Sequence, residues 1–273
     1  MIDASERIVR ARNAQRAYFE AGSGEPVVLL HGIGARAFSW ETQLARWSNA
    51  YRVVAWDAPG YGHSDDLPHS EPETAEYADA LLDLLDTLAI ERPIVVGHSL
   101  GALIAGTFAA RHPQRLSALV LLSVACGYGH LSFIDRERLF ATRAGDLQAM
   151  GIAEFAQKRA ASIVSPHALP EHIARVRDAM SSIRESGYLA AMRMLTNGDL
   201  LAITPNIRVP TLVACGSVDT VTPPEQNRRV AESIPGAAFA LVDGAGHAVY
   251  VERPDELEAC VLPFISSIAK RRS

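Results

Sequence analysis

The sequence has few cysteines and no long apolar run, and both shortages restrict the class of protein. Its 273 residues include only Cys126, Cys215 and Cys260, and an odd number without close pairs argues against a disulfide-stapled secreted scaffold. No apolar stretch approaches the roughly 20 residues that a membrane helix needs. The first residues contain no apolar segment typical of a signal peptide. We therefore predict a cytoplasmic protein with no membrane partner.

An excess of positive charge is also missing. Lysine and arginine together number 26 against 31 acidic residues, and the net charge is -5. Such a balance gives no electrostatic reason to expect a nucleic-acid partner. No Cys, His and Asp spacing resembles a zinc site, so we predict neither a metal nor a cofactor. A small-molecule substrate is the expected partner, and a homodimer is left open.

Short β-branched runs bounded by Gly or Pro alternate with helical patterns. The apolar runs occupy residues 26–30, 51–56, 93–97, 116–123, 210–216 and 237–243. Such runs are typical of strands that are buried on both faces of a sheet. Helical patterns occupy residues 74–88, 100–112, 224–234 and 255–269. The alternation predicts an α/β fold with a mostly parallel sheet, to which residues 6–12 and 16–21 could add an antiparallel pair.

The alternation is interrupted after residue 126. Residues 127–207 contain four helical patterns and no strand pattern. A helical insertion between two strands of a parallel sheet predicts a cap over the carboxyl ends of the strands, where such sheets bind ligands. We therefore predict a core of residues 1–126 and 208–273 and a helical cap, or lid, of residues 127–207.

A candidate nucleophile lies in the segment GHSLG, residues 97–101. An apolar strand pattern precedes it and a helix rich in small residues follows it, as a nucleophile elbow requires. Glycines are expected on both sides of Ser99 because the strained turn leaves no room for Cβ atoms there. His98 is next to Ser99 in the chain and is poorly placed to take its proton, since successive side chains leave a strand on opposite sides.

The base and its orienting acid are predicted from two other strand ends. His247 lies in a short Gly-rich loop after the last apolar run, where it could reach Ser99. Asp219 follows the run 210–216 and could orient the imidazole, whereas Asp243 is close to His247 in sequence and is typical of a turn residue. The order Ser99, Asp219, His247 is the order found in α/β-hydrolases.

An oxyanion hole and substrate contacts can also be assigned. The backbone N–H of Leu100, directly after the nucleophile, is one predicted donor, and that of Ile33 in the loop HGIGARAFSW is the other. Arg36, in the same loop, could hold a substrate carboxylate. Arg193 and Met194 of the cap could line the pocket.

The chain resembles the α/β-hydrolase fold superfamily over nearly its whole length. The segments that carry the resemblance are HG at 31–32, DAPGYGHSD at 57–65, GHSLG at 97–101, GSVDTVTPPE at 216–225 and GAGHAVYVERPDEL at 244–257. The resemblance implies an eight-stranded, mostly parallel sheet flanked by helices, with a Ser-His-Asp catalytic triad. Haloalkane dehalogenases and epoxide hydrolases of this fold use an Asp nucleophile, and Ser99 argues against both.

Within that superfamily, the segment 187–213 followed by D-x-x-TPPE is similar to the lactonase and esterase group that includes 3-oxoadipate enol-lactonases. We therefore predict a serine hydrolase that cleaves a carboxylic ester or an enol-lactone, such as an enzyme of aromatic compound degradation. The loop HGIGARAFSW is similar to that of carbon–carbon bond hydrolases acting on meta-cleavage products, which is the first alternative. The second is a non-catalytic small-ligand receptor on the same fold.

Overall fold

The computed structural model describes residues 5–270 and contains an eight-stranded sheet within them. The strands are β1 (Glu6–Ala11), β2 (Ala14–Ala21), β3 (Pro26–Leu30), β4 (Arg52–Trp56), β5 (Ile94–His98), β6 (Ala118–Leu122), β7 (Thr211–Gly216) and β8 (Ala238–Val242). Their spatial order is β1-β2-β4-β3-β5-β6-β7-β8. The pairs β1–β2 and β2–β4 are antiparallel, and the other pairs are parallel. The predicted α/β-hydrolase fold with a mostly parallel eight-stranded sheet is confirmed.

Helices cover both faces of this sheet. They are α1 (Glu41–Trp47), α2 (Thr74–Thr87), α3 (Leu100–Arg111), α4 (Phe133–Ile163), α5 (Pro170–Ser181), α6 (Glu185–Asn197), α7 (Pro224–Ser233), α8 (Val249–Glu252) and α9 (Pro254–Lys270). Because successive strand residues point to opposite faces, Val28 belongs to the core cluster that includes residues of α2, α3 and α7, while its neighbour Val27 belongs to the cluster that includes residues of α1 and α9. Each fully buried side chain of this size contributes roughly 1.5–3 kcal/mol.

Strand β8 departs from the predicted burial. It lies at one end of the spatial order and pairs with β7 alone. Its residues are mostly exposed or half-buried, and Leu241 is 47% exposed. The prediction that every apolar run is buried on both faces is therefore wrong for this edge strand, because helices cover only part of it.

Helices α4, α5 and α6 lie between β6 and β7, where the sequence predicts an insertion. Helix α4 is broken at Gly151, whose φ of 71° and ψ of 164° are not helical. Phe155 of α4 and Tyr188 of α6 pack on one another with their ring centroids 5.4 Å apart. None of the helices described is long and apolar enough to cross a membrane. The division into a core and a cap stays a prediction.

Candidate active site

Ser99 lies on a sharp turn between β5 and α3. Its φ of 53° and ψ of -114° are a strained conformation for a residue other than glycine. A Cβ atom on Gly97 would lie 2.3 Å from the carbonyl oxygen of Gly101, and one on Gly101 would lie 2.3 Å from that of Leu30. Both distances are far below van der Waals contact, so the strand and helix approach this closely only with glycine at these positions. The sequence G-x-S-x-G therefore has a steric cause here.

The structure brings His247 and Asp219 together although 27 residues separate them in sequence. Nδ1 of His247 lies 3.0 Å from Oδ2 of Asp219, and both side chains are buried. A proton on Nδ1 donated to the carboxylate leaves Nε2 as the free acceptor of the ring. Ser99 and His247 line the same cavity, but no hydrogen bond joins their side chains within the described part of the chain.

Thr222 completes the surroundings of Asp219. Its hydroxyl donates to Oδ2 of Asp219 over 2.8 Å and lies 3.1 Å from Nδ1 of His247. Oδ1 of the same carboxylate accepts the backbone N–H groups of Val221 and Thr222, each over 2.9 Å. Burial acts to raise the pKa of Asp219, but the hydrogen bond and charge of His247 and the bonds from Thr222 outweigh it, so the pKa lies below its ordinary value. Asp219 is therefore a stable carboxylate.

His98 supports the loop that carries His247, here called the histidine loop. Its Nε2 lies 2.8 Å from the carbonyl oxygen of His247 and must carry the proton, since a carbonyl only accepts. Its ring packs against those of His247 and Tyr250, with centroid distances of 4.9 Å to each. Burial, together with the nearby His247, lowers the pKa of His98 to about 3. An imidazole with so low a pKa is a weak base. This agrees with the prediction that His98 does not take the proton of Ser99.

The loop after β3 presents a backbone N–H beside Ser99. The carbonyl oxygen of Gly32 accepts from Nδ1 of His31 over 2.8 Å and from the N–H of Ala35 over 3.1 Å. Because carbonyl and N–H point in opposite directions across a trans peptide, the N–H of Ile33 faces away from those partners. A Cβ atom on Gly32 would lie 3.2 Å from Cβ of Ser99, so this peptide adjoins the serine.

Leu100 begins α3, and the N–H groups in the first turn of a helix lack intrahelical acceptors. The N–H groups of Ala102 and Leu103 bind the carbonyl oxygen of Ser99, while that of Leu100 precedes them next to the serine side chain. The positive end of the helix dipole adds to the attraction for a negative oxygen there.

The histidine loop is also joined to the end of α4. The N–H of His247 donates to the carbonyl oxygen of Ile163, the last residue of α4, over 2.9 Å. The buried carboxylate of Glu252 accepts from the N–H of Ser165 over 2.8 Å and from that of Gly246 over 3.1 Å. These bonds connect the inserted helices directly to the loop that carries the imidazole.

A cavity of about 1320 Å³ lies between the carboxyl ends of the strands and helices α4–α6. Ser99, His247 and Ile33 line it from the sheet side, and Phe155, Tyr188 and Met192 line it from the inserted helices. Open α/β sheets place their ligands at this edge. The volume is sufficient for a small organic substrate.

The two arginines predicted to contact substrate have other partners. Arg36 lines the cavity, but its Nη2 lies 2.8 Å from Glu6 and 3.0 Å from Asp57, so two carboxylates already balance its charge. Arg193 does not line the cavity. It is buried, pairs with Glu137, and its guanidinium lies 3.8 Å from the ring centroid of Phe140.

The expected substrate contact of Arg193 is corrected, because its guanidinium lies outside the cavity lining and binds protein groups. The expected contact of Arg36, which lines the cavity, stays a prediction. Met194 is fully buried and does not line the cavity either. Asp243, the rival of Asp219, accepts from the hydroxyl of Ser217 at the surface, as the turn interpretation predicts.

Four functional side chains were missed by the sequence interpretation: His31, Asp57, Thr222 and Glu252. His31 and Asp57 hold the loop after β3, the latter by accepting the N–H of Ala37 over 2.7 Å. His31 directly follows β3 and Asp57 directly follows β4, positions that could have marked both residues as part of the site. Within residues 5–270, no group of three or more His, Cys, Asp or Glu side chains could hold a metal ion.

Comparison with known proteins agrees with this geometry. The family described as the alpha/beta hydrolase fold matches residues 25–254. The (E)-2-((N-methylformamido)methylene)succinate hydrolase of Acinetobacter baylyi is 25% identical over 268 residues, covering 96% of this chain and 98% of that protein.

Two solved structures superpose over nearly the whole chain. The enol-lactonase from Burkholderia xenovorans LB400 has a TM-score of 0.86 and 26% identity, covering 95% of this chain and 100% of that one. A malate-bound thermophilic esterase from Thermogutta terrifontis also has a TM-score of 0.86, with 25% identity and coverage of 97% and 99%. The chain is thus similar from end to end to proteins named as hydrolases.

Proposed function

The chain belongs to the α/β-hydrolase fold family, and on that premise we propose that this hydrolase cleaves a small carboxylic ester or enol-lactone through a covalent acyl-enzyme. Ser99 is the nucleophile, His247 the general base and Asp219 the acid that orients it. The observation that carries the proposal is the 3.0 Å contact between Nδ1 of His247 and Asp219, in the cavity that also contains the strained Ser99. Hydrolases named as a lactonase and an esterase support the substrate class.

The geometry supports the following reaction. Ser99 Oγ attacks the carbonyl carbon while Nε2 of His247 takes its proton, which requires the two atoms to approach to about 2.6–3.2 Å. The N–H groups of Ile33 and Leu100 bind the oxyanion of the tetrahedral intermediate. The imidazolium then protonates the departing oxygen, and the acyl group stays on Ser99.

Deacylation repeats these steps with water as the nucleophile, and His247 again accepts and returns the proton. The negative charge of Asp219 stabilises the imidazolium in both halves. The proposed chemistry needs no cofactor. Residues 127–207 serve as the cap that encloses the substrate, with α4–α6 as its helical part.

The test combines turnover with covalent labelling. The wild-type protein should hydrolyse 4-nitrophenyl acetate with a burst of product, and a fluorophosphonate should add one label at Ser99 in the mass spectrum. Ser99→Ala should lose the label and at least about 10³-fold in kcat. Ser181→Ala removes an exposed hydroxyl of α5 and is the matched control.

Three outcomes would overturn the proposal. Full activity in Ser99→Ala would exclude the acyl-enzyme on this serine. Turnover of a vinylogous 1,5-diketone, without turnover of any ester or lactone, would indicate carbon–carbon bond hydrolysis. Tight binding of esters or lactones without turnover of any of them would indicate a receptor.

A further inference from the structure

Helix α4 contributes to the cavity lining an arginine that forms no ion pair with the residues described. Arg143 of α4 lines the cavity, is half-buried and forms no ion pair or side-chain hydrogen bond with the residues described. It differs in this from Arg36 and Arg175, which line the same cavity but pair with Asp57 and Glu41 respectively. A guanidinium held at a cavity wall without a protein anion is available to an anionic ligand.

A hydroxyl that lines the same cavity is also without a hydrogen-bond partner. Tyr188 of α6 lines the cavity and is only 3% exposed, yet its hydroxyl has no hydrogen-bond partner among residues 5–270. Buried hydroxyls in proteins are normally hydrogen-bonded, so a group that faces a cavity unpaired points to a ligand. Burial raises the pKa of Tyr188 to about 12, and this hydroxyl therefore keeps its proton and can donate it.

Arg143 and Tyr188 line the same cavity from α4 and α6, two helices that pack on one another. In agreement with this, the positive charge of Arg143 opposes the effect of burial on the pKa of Tyr188. A second cation lies beside the aromatic pair of Phe155 and Tyr188. The guanidinium of Arg159 is 5.6 Å from the ring centroid of Phe155, which in turn packs on Tyr188. Asp146 also acts on Tyr188, but it does not line the cavity.

We propose that Arg143 and the hydroxyl of Tyr188, with Arg159 beside them, form a site for a carboxylate of the substrate at a distance from the carbonyl that is cleaved. This inference rests on the proposed ester or lactone hydrolysis and specifies its substrate class. The site lies on the inserted helices, while Ser99 and His247 lie at the strand ends, so a substrate must span the cavity between them. The preferred substrate is then an ester or lactone whose acyl part ends in a carboxylate.

The experiment compares pairs of esters that differ only in charge. Mono-4-nitrophenyl adipate and suberate are measured against the same compounds with the free carboxylate methylated. The wild-type kcat/KM should be higher for the free acids. Charge-assisted hydrogen bonds of this kind change such ratios by roughly 10- to 100-fold, so the ratio of acid to methyl ester should fall by about that factor in Arg143→Gln.

Two further variants refine the assignment. Arg143→Lys keeps the charge but loses the planar donor pair and should recover part of the ratio. Tyr188→Phe removes only the hydroxyl and should lower the ratio by a smaller factor. Arg138→Gln is the control, because Arg138 lies on the same helix but is 72% exposed and pairs with Asp135. It should leave the ratio at the wild-type value.

Binding of adipate to the Ser99→Ala variant separates this inference from the proposed function. Calorimetric binding that is lost on adding Arg143→Gln supports the carboxylate site even if no ester is turned over. Ester turnover with equal kcat/KM for acid and methyl ester, or an equal loss for both in Arg143→Gln, overturns the carboxylate site and leaves the hydrolytic mechanism standing.

Discussion

The backbone N–H of His247 donates a 2.9 Å hydrogen bond to the carbonyl oxygen of Ile163, which joins the loop of the proposed base to the end of α4. Glu252 joins the same two segments through the N–H groups of Ser165 and Gly246. These hydrogen bonds fix the loop of His247 relative to the end of α4. The inserted helices thus position the proposed base as well as line the cavity.

Replacing Glu252 should weaken this junction. Glu252→Ala leaves two buried N–H groups without their acceptor, and we expect the free energy of unfolding to fall by about 2–4 kcal/mol. The value of kcat should fall more than KM changes, because His247 loses its fixed position rather than the substrate its contacts. Urea unfolding and steady-state kinetics measure the two effects. Glu256→Ala, an exposed glutamate of α9, is the control, and equal behaviour of the two variants would contradict the role of Glu252.

Asp219→Asn should abolish most activity while the fold is retained. An asparagine amide cannot hold the proton of His247 on Nδ1 as the carboxylate does, and it does not stabilise the imidazolium. We expect kcat to fall by about 10³- to 10⁴-fold for 4-nitrophenyl acetate. Asp243→Asn, at the exposed rival acid, should retain wild-type kcat. A larger loss in Asp243→Asn than in Asp219→Asn would reverse the assignment.

His98 should make the stability of the protein depend on pH. Its pKa is about 3 in the folded protein, whereas an unfolded imidazole titrates near 6.5. Between these values the unfolded chain binds more protons, so the free energy of unfolding rises with pH. The contribution is fully present above about pH 6.5 and is lost as the pH falls towards 3. One such group gives a slope of about 1.4 kcal/mol per pH unit.

The variant His98→Gln isolates that contribution. It keeps a side-chain N–H for the carbonyl oxygen of His247 but has no titrating ring. Urea unfolding between about pH 4 and 5.5 should show a slope about 1.4 kcal/mol per pH unit smaller than in the wild type. Burial also lowers the pKa of His31, but that residue is present in both proteins and cancels in the comparison. Identical slopes would mean that the pKa of His98 is not lowered in the folded protein.

Two glycines of α4 should respond in opposite ways to alanine. Gly151 has a φ of 71° and a ψ of 164°, a region nearly restricted to glycine. Gly151→Ala should therefore destabilise the protein by about 1–3 kcal/mol, although a Cβ atom there would meet nothing within 4 Å. Gly145→Ala lies in the regular part of the helix, also in open space, and should stabilise by roughly 0.5–1 kcal/mol. Chemical denaturation of both variants gives the sign of each change in the free energy of unfolding. Destabilisation of both variants would contradict backbone strain as the cause.

Much of the fold was predictable because the strands of this sheet carry a strong local pattern. The runs PVVLL and TLVACG became β3 and β7 with their ends shifted by at most one residue, since strands buried on both faces must be apolar at every position. The edge strand β8 shares that composition but not that burial. Position in the sheet depends on partners that are distant in sequence, and composition does not reveal it.

The sequence by itself determined the order of the proposed triad along the chain: a serine on a glycine-flanked turn, then an acid and a histidine after later strands. The reason is that turns and strand ends need particular residues locally, and such local patterns can be recognised in the sequence alone. Only the tertiary structure decided which polar groups meet. It paired Arg36 and Arg193 with protein carboxylates, joined Glu252 to the end of α4, and left Arg143 and Tyr188 facing the cavity, because such contacts depend on the packing of segments that are far apart in the chain.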